Sequence, residues 1–192
     1  MECAKDRQIE LVDGVLGEGL GVKCCPQCHG NWINADDYRS WQVGNAQQLL
    51  RHRQRHRVPL GAVAGDFAPS AYDAKAGLCP ECKRYLARAK VMVKNPFYVE
   101  RCPGCGGIWC DAGEWEVLES LGLDVAIEQV FSGQWQAEAR SSWAAEKERE
   151  ALVEKLGWQV ADRVLELAEI LETHPYGDFG VAYLMRRFDK PQ

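Results

Sequence analysis

The apolar residues in the last third of the chain recur at the spacing of an α-helix. Between Asp124 and His174 the pattern is helical, and one stripe advances in three- and four-residue steps: Leu152, Leu156, Val160, Val164, Leu167 and Leu171. Residues spaced in this way share one side of a helix, so they predict an amphipathic face. The stripe closes the protein's own core or an antiparallel helical hairpin, or it forms a face for dimerisation or partner binding.

Helix-breaking residues within this third of the chain predict that it contains several helices. Gly157 indicates a break between two of them, and residues 173–178, Thr-His-Pro-Tyr-Gly-Asp, predict a stop and a turn. Residues 179–188 then have the pattern of a short final helix. We therefore expect an α-helical C-terminal region.

Before this region the apolar residues fall in short runs that predict β-hairpins. Residues 9–12 and 15–16 flank Asp13-Gly14, a common two-residue hairpin turn. Residues 85–93 and 97–100 flank Asn95-Pro96 in the same way. These runs predict one hairpin near the N-terminus and one in the middle of the chain.

Two cysteine pairs border the central hairpin. Cys79 and Cys82 form one C-x-x-C pair, and Cys102 and Cys105 form the second. A gap of roughly 15–20 residues between such pairs is typical of a zinc ribbon. Zn²⁺ takes four tetrahedral ligands at about 2.0–2.3 Å, and a hairpin brings the second pair to the first. The spacing predicts a structural zinc site of these four thiolates.

This segment closely resembles the transcription-factor-IIB-type zinc ribbon of small bacterial proteins. The matching residues are Cys79-Pro80-x-Cys82 and, after the hairpin, Arg101-Cys102-Pro103-x-Cys105-Gly106-Gly107-Ile108-Trp109-x-Asp111-Ala112-Gly113-Glu114. The family has an aliphatic residue where this chain has Cys110. The resemblance implies a zinc-binding module and does not establish a role in transcription.

The N-terminus has the pattern of a degenerate second copy. The aligned pairs are Cys25 with Cys102, Cys28 with Cys105, Trp32 with Trp109, Asn34 with Asp111 and Asp37 with Glu114. Counting back, Cys3 aligns with Cys79 and Asp6 with Cys82. Because a carboxylate oxygen is an acceptable zinc ligand, Cys3, Asp6, Cys25 and Cys28 are a second candidate site. Cys24 and His29 are alternatives for its fourth ligand, and loss of the metal from this copy is the competing interpretation.

A helix is expected after each copy. Asp111 and Glu114 have the spacing of a capping box, and Asn34 to Asp37 repeats it more weakly. Trp32 and Trp109 are expected to pack these helices against their own ribbons.

Residues 51–57 are the most basic stretch of the chain. Arg51, Arg53, Arg55 and Arg57 are either the solvated end of a helix or a nucleic-acid-binding patch. Residues 58–77 are rich in Pro, Gly, Ala, Ser and Asp, which predicts a linker.

Together these features predict a small α+β protein. Two zinc ribbons, each a knuckle plus a β-hairpin followed by a helix, precede the α-helical C-terminal region. The expected division is residues 1–57 for the degenerate ribbon and its helix, 58–77 for the linker, 78–123 for the second ribbon and its helix, and 124–192 for the helical region.

Composition narrows the function. The 192 residues carry a net charge of −5, which argues against broad non-specific nucleic-acid binding. Neither a membrane span nor a secretory signal is recognisable, and cysteines at metal-type spacings favour a reducing cytoplasm. No catalytic motif is recognisable either.

We therefore expect a cytoplasmic, non-enzymatic protein that binds two zinc ions, or at least one. Its expected partner is another protein, bound through the ribbons or the C-terminal helices, or a second copy bound through those helices. The alternative is a nucleic-acid-binding protein that uses the four arginines.

Overall fold

The structure is a computed structural model that describes residues 1–45 and 67–189. These residues form one antiparallel sheet and six α-helices. The strands are β1 (Val12–Leu16), β2 (Leu20–Cys24), β3 (Asn31–Ile33), β4 (Ala87–Val91), β5 (Phe97–Arg101) and β6 (Ile108–Cys110). The helices are α1 (Ala35–Gly44), α2 (Glu114–Leu121), α3 (Ile127–Val130), α4 (Gly133–Leu156), α5 (Trp158–Thr173) and α6 (Gly177–Phe188), with a 3₁₀ turn at Asp124–Ala126. The small α+β class is therefore confirmed.

The two predicted ribbon segments share a single sheet. Its strand order is β1-β2-β3-β6-β5-β4, and every neighbouring pair is antiparallel. At the centre β3 pairs with β6, with Trp32 opposite Trp109 and Ile33 opposite Ile108. Exchanging β1 with β4, β2 with β5 and β3 with β6 leaves the order unchanged, so the two halves have matching topology.

The first hairpin turns at a different place from the predicted one. Asp13 and Gly14 lie inside β1, and the chain reverses between Leu16 and Leu20. Gly17 and Gly19 have φ angles of 38° and 83°, in the left-handed region that glycine enters without steric cost. The Asp13-Gly14 prediction was therefore wrong, because two glycines three residues later provide the turn. The central hairpin turns between β4 and β5 around Asn95-Pro96, as predicted.

The helices that follow β3 and β6 begin differently. Asn34 caps α1, because its side chain accepts hydrogen bonds from the backbone N–H groups of Asp36 and Asp37. Helix α2 begins at Glu114, after Gly113 with a φ of 81°. Only the glutamate half of the predicted capping box forms there, since Asp111 N–H donates to Glu114 Oε2 at 2.7 Å. The Asp111 side chain points elsewhere.

The largest core lies between the sheet and the helices α1 to α3. Strand residues such as Val91, Phe97 and Ile108 pack in one apolar cluster with Trp115 and Leu118 of α2. The Tyr38 hydroxyl ties α1 to the 3₁₀ turn, because it donates to Asp124 O at 2.5 Å and accepts from Ile127 N–H at 3.2 Å. This core holds the sheet and its helices together.

Part of the predicted linker contributes to the packed structure. The ring of Phe67 lies 5.3 Å from that of Phe97, and Asp73 is buried. Residues 46–66, which include Arg51, Arg53, Arg55 and Arg57, are outside the described residues.

The chain divides into two compact units, Met1–Trp143 and the residues from Ala144 onward. This division differs from the four predicted segments, since β3 and β6 join both predicted ribbons in the first unit. In the second unit the chain breaks at Gly157, with a φ of 74°, and turns again between Thr173 and Gly177. The predicted helix breaks are thus confirmed.

The second unit has little core of its own. Of its helix residues, only Ala161 and Gly177 are buried in α5 and α6. Among the described residues, no helix combines the length and apolar character needed to cross a membrane.

Candidate metal centres

Four cysteine sulfurs converge beside the β4–β5 hairpin. Cys79, Cys82, Cys102 and Cys105 place their sulfurs within 4.8 Å of one another. The Cys79 and Cys105 sulfurs are 3.5 Å apart, and those of Cys82 and Cys102 are 3.2 Å apart. We call this group the first centre.

The first centre fits a tetrahedral zinc ion. Zn–S bonds of about 2.3 Å at tetrahedral angles place sulfurs about 3.8 Å apart, close to the observed spacing. All nine cysteines are free thiols, since a disulfide needs sulfurs only about 2.05 Å apart. Four thiolates would fill the coordination of zinc and leave no place for a substrate water.

Short loops present these sulfurs. Cys79 N–H donates to Arg84 O, and Cys102 N–H donates to Gly107 O, so each loop closes five residues after its first cysteine. Inside the loops, Cys82 N–H points at the Cys79 sulfur (3.3 Å) and Gly104 N–H at the Cys102 sulfur (3.4 Å). Backbone amides directed at sulfur stabilise a thiolate.

A second group lies in the N-terminal half. The sulfurs of Cys3, Cys25 and Cys28 are within 4.8 Å of one another, and all three residues are buried. The Cys3 and Cys28 sulfurs are 3.6 Å apart, and this contact lowers the pKa of Cys3 to about 6 while raising that of Cys28. We call this three-thiol group the second centre.

The structure does not bring the expected fourth ligands to the second centre. Asp6 Oδ1 accepts a hydrogen bond from Gln8 N–H at 3.0 Å and is not part of the sulfur cluster. The Cys24 thiol donates to Asn31 Oδ1 at 2.9 Å, and burial raises its pKa. His29 has a φ of 58° and occupies the left-handed position of its loop, as Gly106 does in the first centre.

The indole rings of Trp32 and Trp109 cross between the halves. A Cβ added at Gly107 would lie 2.2 Å from the Trp32 ring, and one at Gly30 would lie 2.2 Å from the Trp109 ring. Each tryptophan therefore packs on the cysteine loop of the opposite half, in an apolar cluster with the cysteines that contains no helix residue among those described. The two centres are thus built against each other. The expected packing of each tryptophan on the helix of its own half was therefore wrong, because the helix side chains belong to the larger core.

Residues of opposite charge, Glu81 and Lys5, occupy matching positions in the two halves, and each contacts the other half. Glu81, two residues after Cys79, accepts hydrogen bonds from Trp32 Nε1 (3.1 Å) and from Asn34 Nδ2 (2.8 Å). Lys5, two residues after Cys3, lies 2.8 Å from Glu100 and 3.6 Å from Asp111. Neither contact was predicted from the sequence, although each residue lies two positions after the first cysteine of its loop, which was a usable signal.

Lys5 belongs to a buried ionic network. Arg88 Nε lies 3.1 Å from Glu100 Oε1, and the Trp109 indole donates to Asp111 Oδ1 at 2.7 Å. Burial raises the pKa of Glu100 and of Asp111, with Lys5 acting in the opposite direction on both. Burial and the neighbouring Asp111 charge raise the pKa of Glu114 to about 9. These carboxyl groups therefore depend on one another and on Lys5 for their charge state.

Comparison with known proteins finds a family match for one segment of the chain. Residues 78–120 match the model of the transcription-factor-IIB zinc-ribbon family, described as a transcription factor zinc-finger. No curated protein and no solved structure matches the chain. The match contains the first centre, the β4–β5 hairpin and most of α2, but less than half of the chain. Residues 78–120 are therefore a zinc ribbon of the transcription-factor-IIB type.

Proposed function

We propose that this chain is a non-enzymatic zinc-binding adaptor whose C-terminal helices bind a protein partner. The observation that carries the proposal is the row of exposed apolar side chains on α5 and α6. Zinc is the proposed means of holding the ribbon loops in place, since metal-binding free energy becomes folding free energy in such modules.

The proposal includes one zinc in the first centre and one in the second. The matching topology of the two halves and the reciprocal packing of Trp32 and Trp109 support a second ribbon copy at the N-terminus. The proposed ligands are Cys79, Cys82, Cys102 and Cys105 in the first centre, and Cys3, Cys25 and Cys28 in the second. An enzymatic role is not proposed, because four thiolates would close the first centre to substrate.

The apolar surface of the second unit is large for its size. Trp158, Phe179 and Phe188 are 60%, 69% and 85% exposed. Between α5 and α6 lies a groove of about 570 Å³, whose apolar lining includes Val164, Leu167, Leu171, Val181 and Leu184. Contiguous exposed apolar surface of this kind marks protein interaction sites. A protein, including a second copy of this chain, is therefore the proposed partner.

The test is site-specific photo-crosslinking in cells. We expect a photo-reactive residue in place of Val164, at the groove, to form discrete adducts with protein. The matched control is the same residue in place of Glu169, which is about 140° around α5 from Val164 at about 100° per residue. A Leu167→Asp substitution in the Val164 variant should abolish the adducts, because it places a charge in the groove.

Discrete adducts at position 164 that disappear with Leu167→Asp support the proposal, and their mass distinguishes a second copy from another protein. Equal labelling at positions 164 and 169, or none at position 164, contradicts partner binding through this surface.

The alternative is nucleic-acid binding through Arg51, Arg53, Arg55 and Arg57, which are outside the described residues. Two cations of the central segment are committed elsewhere, because Lys83 pairs with Glu2 at 2.7 Å and Arg88 with Glu100. No contact in the described residues favours this alternative over protein binding.

A further inference from the structure

The second centre has one loop that differs from the other three. Cys25 N–H donates to Gly30 O, so this loop closes after five residues, like the two loops of the first centre. Cys3 N–H instead donates to Ile9 O, which makes the Cys3 loop one residue longer. Asp6, three residues after Cys3, is therefore not in the loop position that Cys82 occupies three residues after Cys79.

The left-handed residue that completes each short loop shows the same difference. Lys83, His29 and Gly106 have φ angles of 59°, 58° and 81°, and each follows directly after the second cysteine of its loop. Their N–H groups donate to the carbonyl of the first cysteine at 2.9–3.0 Å. Arg7, at the matching place in the Cys3 loop, does not have a positive φ. Asp6 is thus outside the geometry that presents a ligand.

The side chain of Asp6 is also engaged elsewhere. Its Oδ1 atom accepts the Gln8 N–H, and this local bond holds the carboxylate along its own loop. The Cys24 thiol is committed to Asn31, and the His29 imidazole is not among the donors that converge with the three thiols. Among the described residues, three thiols converge and no fourth donor joins them.

The three thiols lie close to the protein surface, because both loops that carry them contain exposed residues. In the first centre, Cys82 is the exposed member of an otherwise more buried set. In the second centre, Arg7, Pro26, Gln27 and His29 are exposed beside the three buried thiols, and Asp6 is partly exposed. A metal held by Cys3, Cys25 and Cys28 would accordingly lie close to solvent.

We propose that the second centre is a three-thiolate zinc site whose fourth position is open and exchanges ligands with solution, taking a small thiol as its added ligand. This inference rests on the proposed second zinc. Zinc sites with three protein ligands keep a water in the fourth position. When a thiol binds, its sulfur replaces that water, its proton goes to solvent, and no electrons are transferred.

A thiol is the ligand class because the three protein donors already select a thiophilic ion. Adding a fourth sulfur gives the second centre the same donor set as the first. The added thiol must be small, because the three sulfurs are buried beneath the exposed residues of their loops.

The test uses the full chain loaded with Co²⁺, which replaces zinc and reports sulfur ligands through its charge-transfer absorption. We expect two cobalt ions per chain. Addition of 2-mercaptoethanol should raise the sulfur-to-cobalt absorption by about one seventh, since seven cobalt–sulfur bonds become eight. Asp6→Ala should leave both the spectrum and the thiol response unchanged.

Two variants calibrate the response. Cys82→Ala opens the first centre at its exposed position, so thiol addition should restore two bonds per chain and produce about twice the wild-type increase in absorption. Cys28→Ser should lose the second cobalt together with the thiol response, because it removes one of three ligands.

The outcomes separate this inference from the proposed function. Two cobalt ions with no thiol response, or an Asp6→Ala variant that binds the second cobalt at least about tenfold more weakly, a loss of about 1.4 kcal/mol, would overturn the open position alone. A single cobalt per chain would overturn the second zinc itself, and with it this inference, while leaving partner binding by α5 and α6 to its own test.

Discussion

At the scale of single residues, the cysteine loops show what a sequence does and does not determine. The spacing of Cys79, Cys82, Cys102 and Cys105 was sufficient to predict which thiols converge, because loop geometry is local. The role of Gly107 was not predictable from the turn, since its neighbour is the Trp32 ring of the other half. Likewise, Lys5 has the character of a surface residue in the sequence, and its partners in the fold, Glu100, Asp111 and the Lys75 carbonyl, are all distant in the chain.

The contact of Gly107 with the Trp32 ring leaves no room for a side chain at position 107, which can be tested by substitution. We expect Gly107→Ala to lower the free energy of unfolding by about 1–3 kcal/mol, because the added Cβ would displace the Trp32 ring from a packed site. Gly21→Ala is the matched control, since a Cβ at Gly21 meets no atom within 4 Å. Denaturation of the zinc-loaded proteins, followed by tryptophan fluorescence, compares the two. Equal stabilities of the two variants would contradict the packing described here.

At the scale of helices and strands, a local motif predicted the end of an element correctly where no second turn motif lay close to it in the sequence. Gly157 and Pro175 correctly predicted the ends of α4 and α5, because glycine and proline both disfavour continuation of a helix. Asp13-Gly14 failed because Gly17 and Gly19 offered a second turn three residues away. Because β1 continues through Asp13 and Gly14, these residues pair with Lys23 and Val22 of β2. A two-residue turn motif carries no information about these additional strand pairs.

The α5–α6 hairpin depends on the absence of a side chain at Gly177. A Cβ there would lie 1.9 Å from the backbone oxygen of Leu171, and backbone atoms cannot move aside as a side chain can. We therefore expect Gly177→Ala to speed amide hydrogen exchange throughout α6 by at least about tenfold, which corresponds to about 1.4 kcal/mol.

Gly180→Ala provides the comparison for this hairpin. Its Cβ would meet only the flexible end of the Leu171 side chain, at 2.7 Å, and alanine favours a helix by about 1 kcal/mol over glycine. Exchange in α6 should stay near the wild-type rate. An equally large effect of both substitutions would show that the Leu171 oxygen contact does not limit the hairpin.

At the scale of the whole molecule, the sequence predicted two ribbons but not their union. The pairing of β3 with β6 joins residues far apart in the chain, and only three residues of each strand take part. Such short strands carry little signal of their own, and nothing local specifies which strand they meet. Because of this union, both halves of the sheet belong to one compact unit, Met1–Trp143.

The buried carboxyl groups give this unit a pH dependence. Glu114 keeps a proton in the folded state up to about pH 9, whereas its unfolded pKa is near 4.5. Between these values the folded chain binds more protons than the unfolded chain, so stability falls as pH rises. The slope contributed by one such group is at most about 1.4 kcal/mol per pH unit.

Replacing Glu114 with Gln should remove this contribution, because the amide stays neutral and still accepts the Asp111 N–H. We expect unfolding free energies measured from pH 6 to 9, with zinc in excess, to decline less steeply in Glu114→Gln than in wild type. Asp111 and Glu100 retain a residual slope of the same sign in both proteins, since burial raises their pKa values too. Identical slopes would show that Glu114 is ionised in the folded protein.

The junction of β3 and β6 also bears on aggregation. A three-stranded half on its own would leave β6 as an open edge, with unpaired N–H and C=O groups that invite strands from other molecules. In this chain β3 occupies that edge, and the outer strands β1 and β4 carry charged residues such as Asp13, Arg88 and Lys90. Because both halves belong to one polypeptide, β3 and β6 pair within the molecule, so the inner edge of each half is covered at any protein concentration.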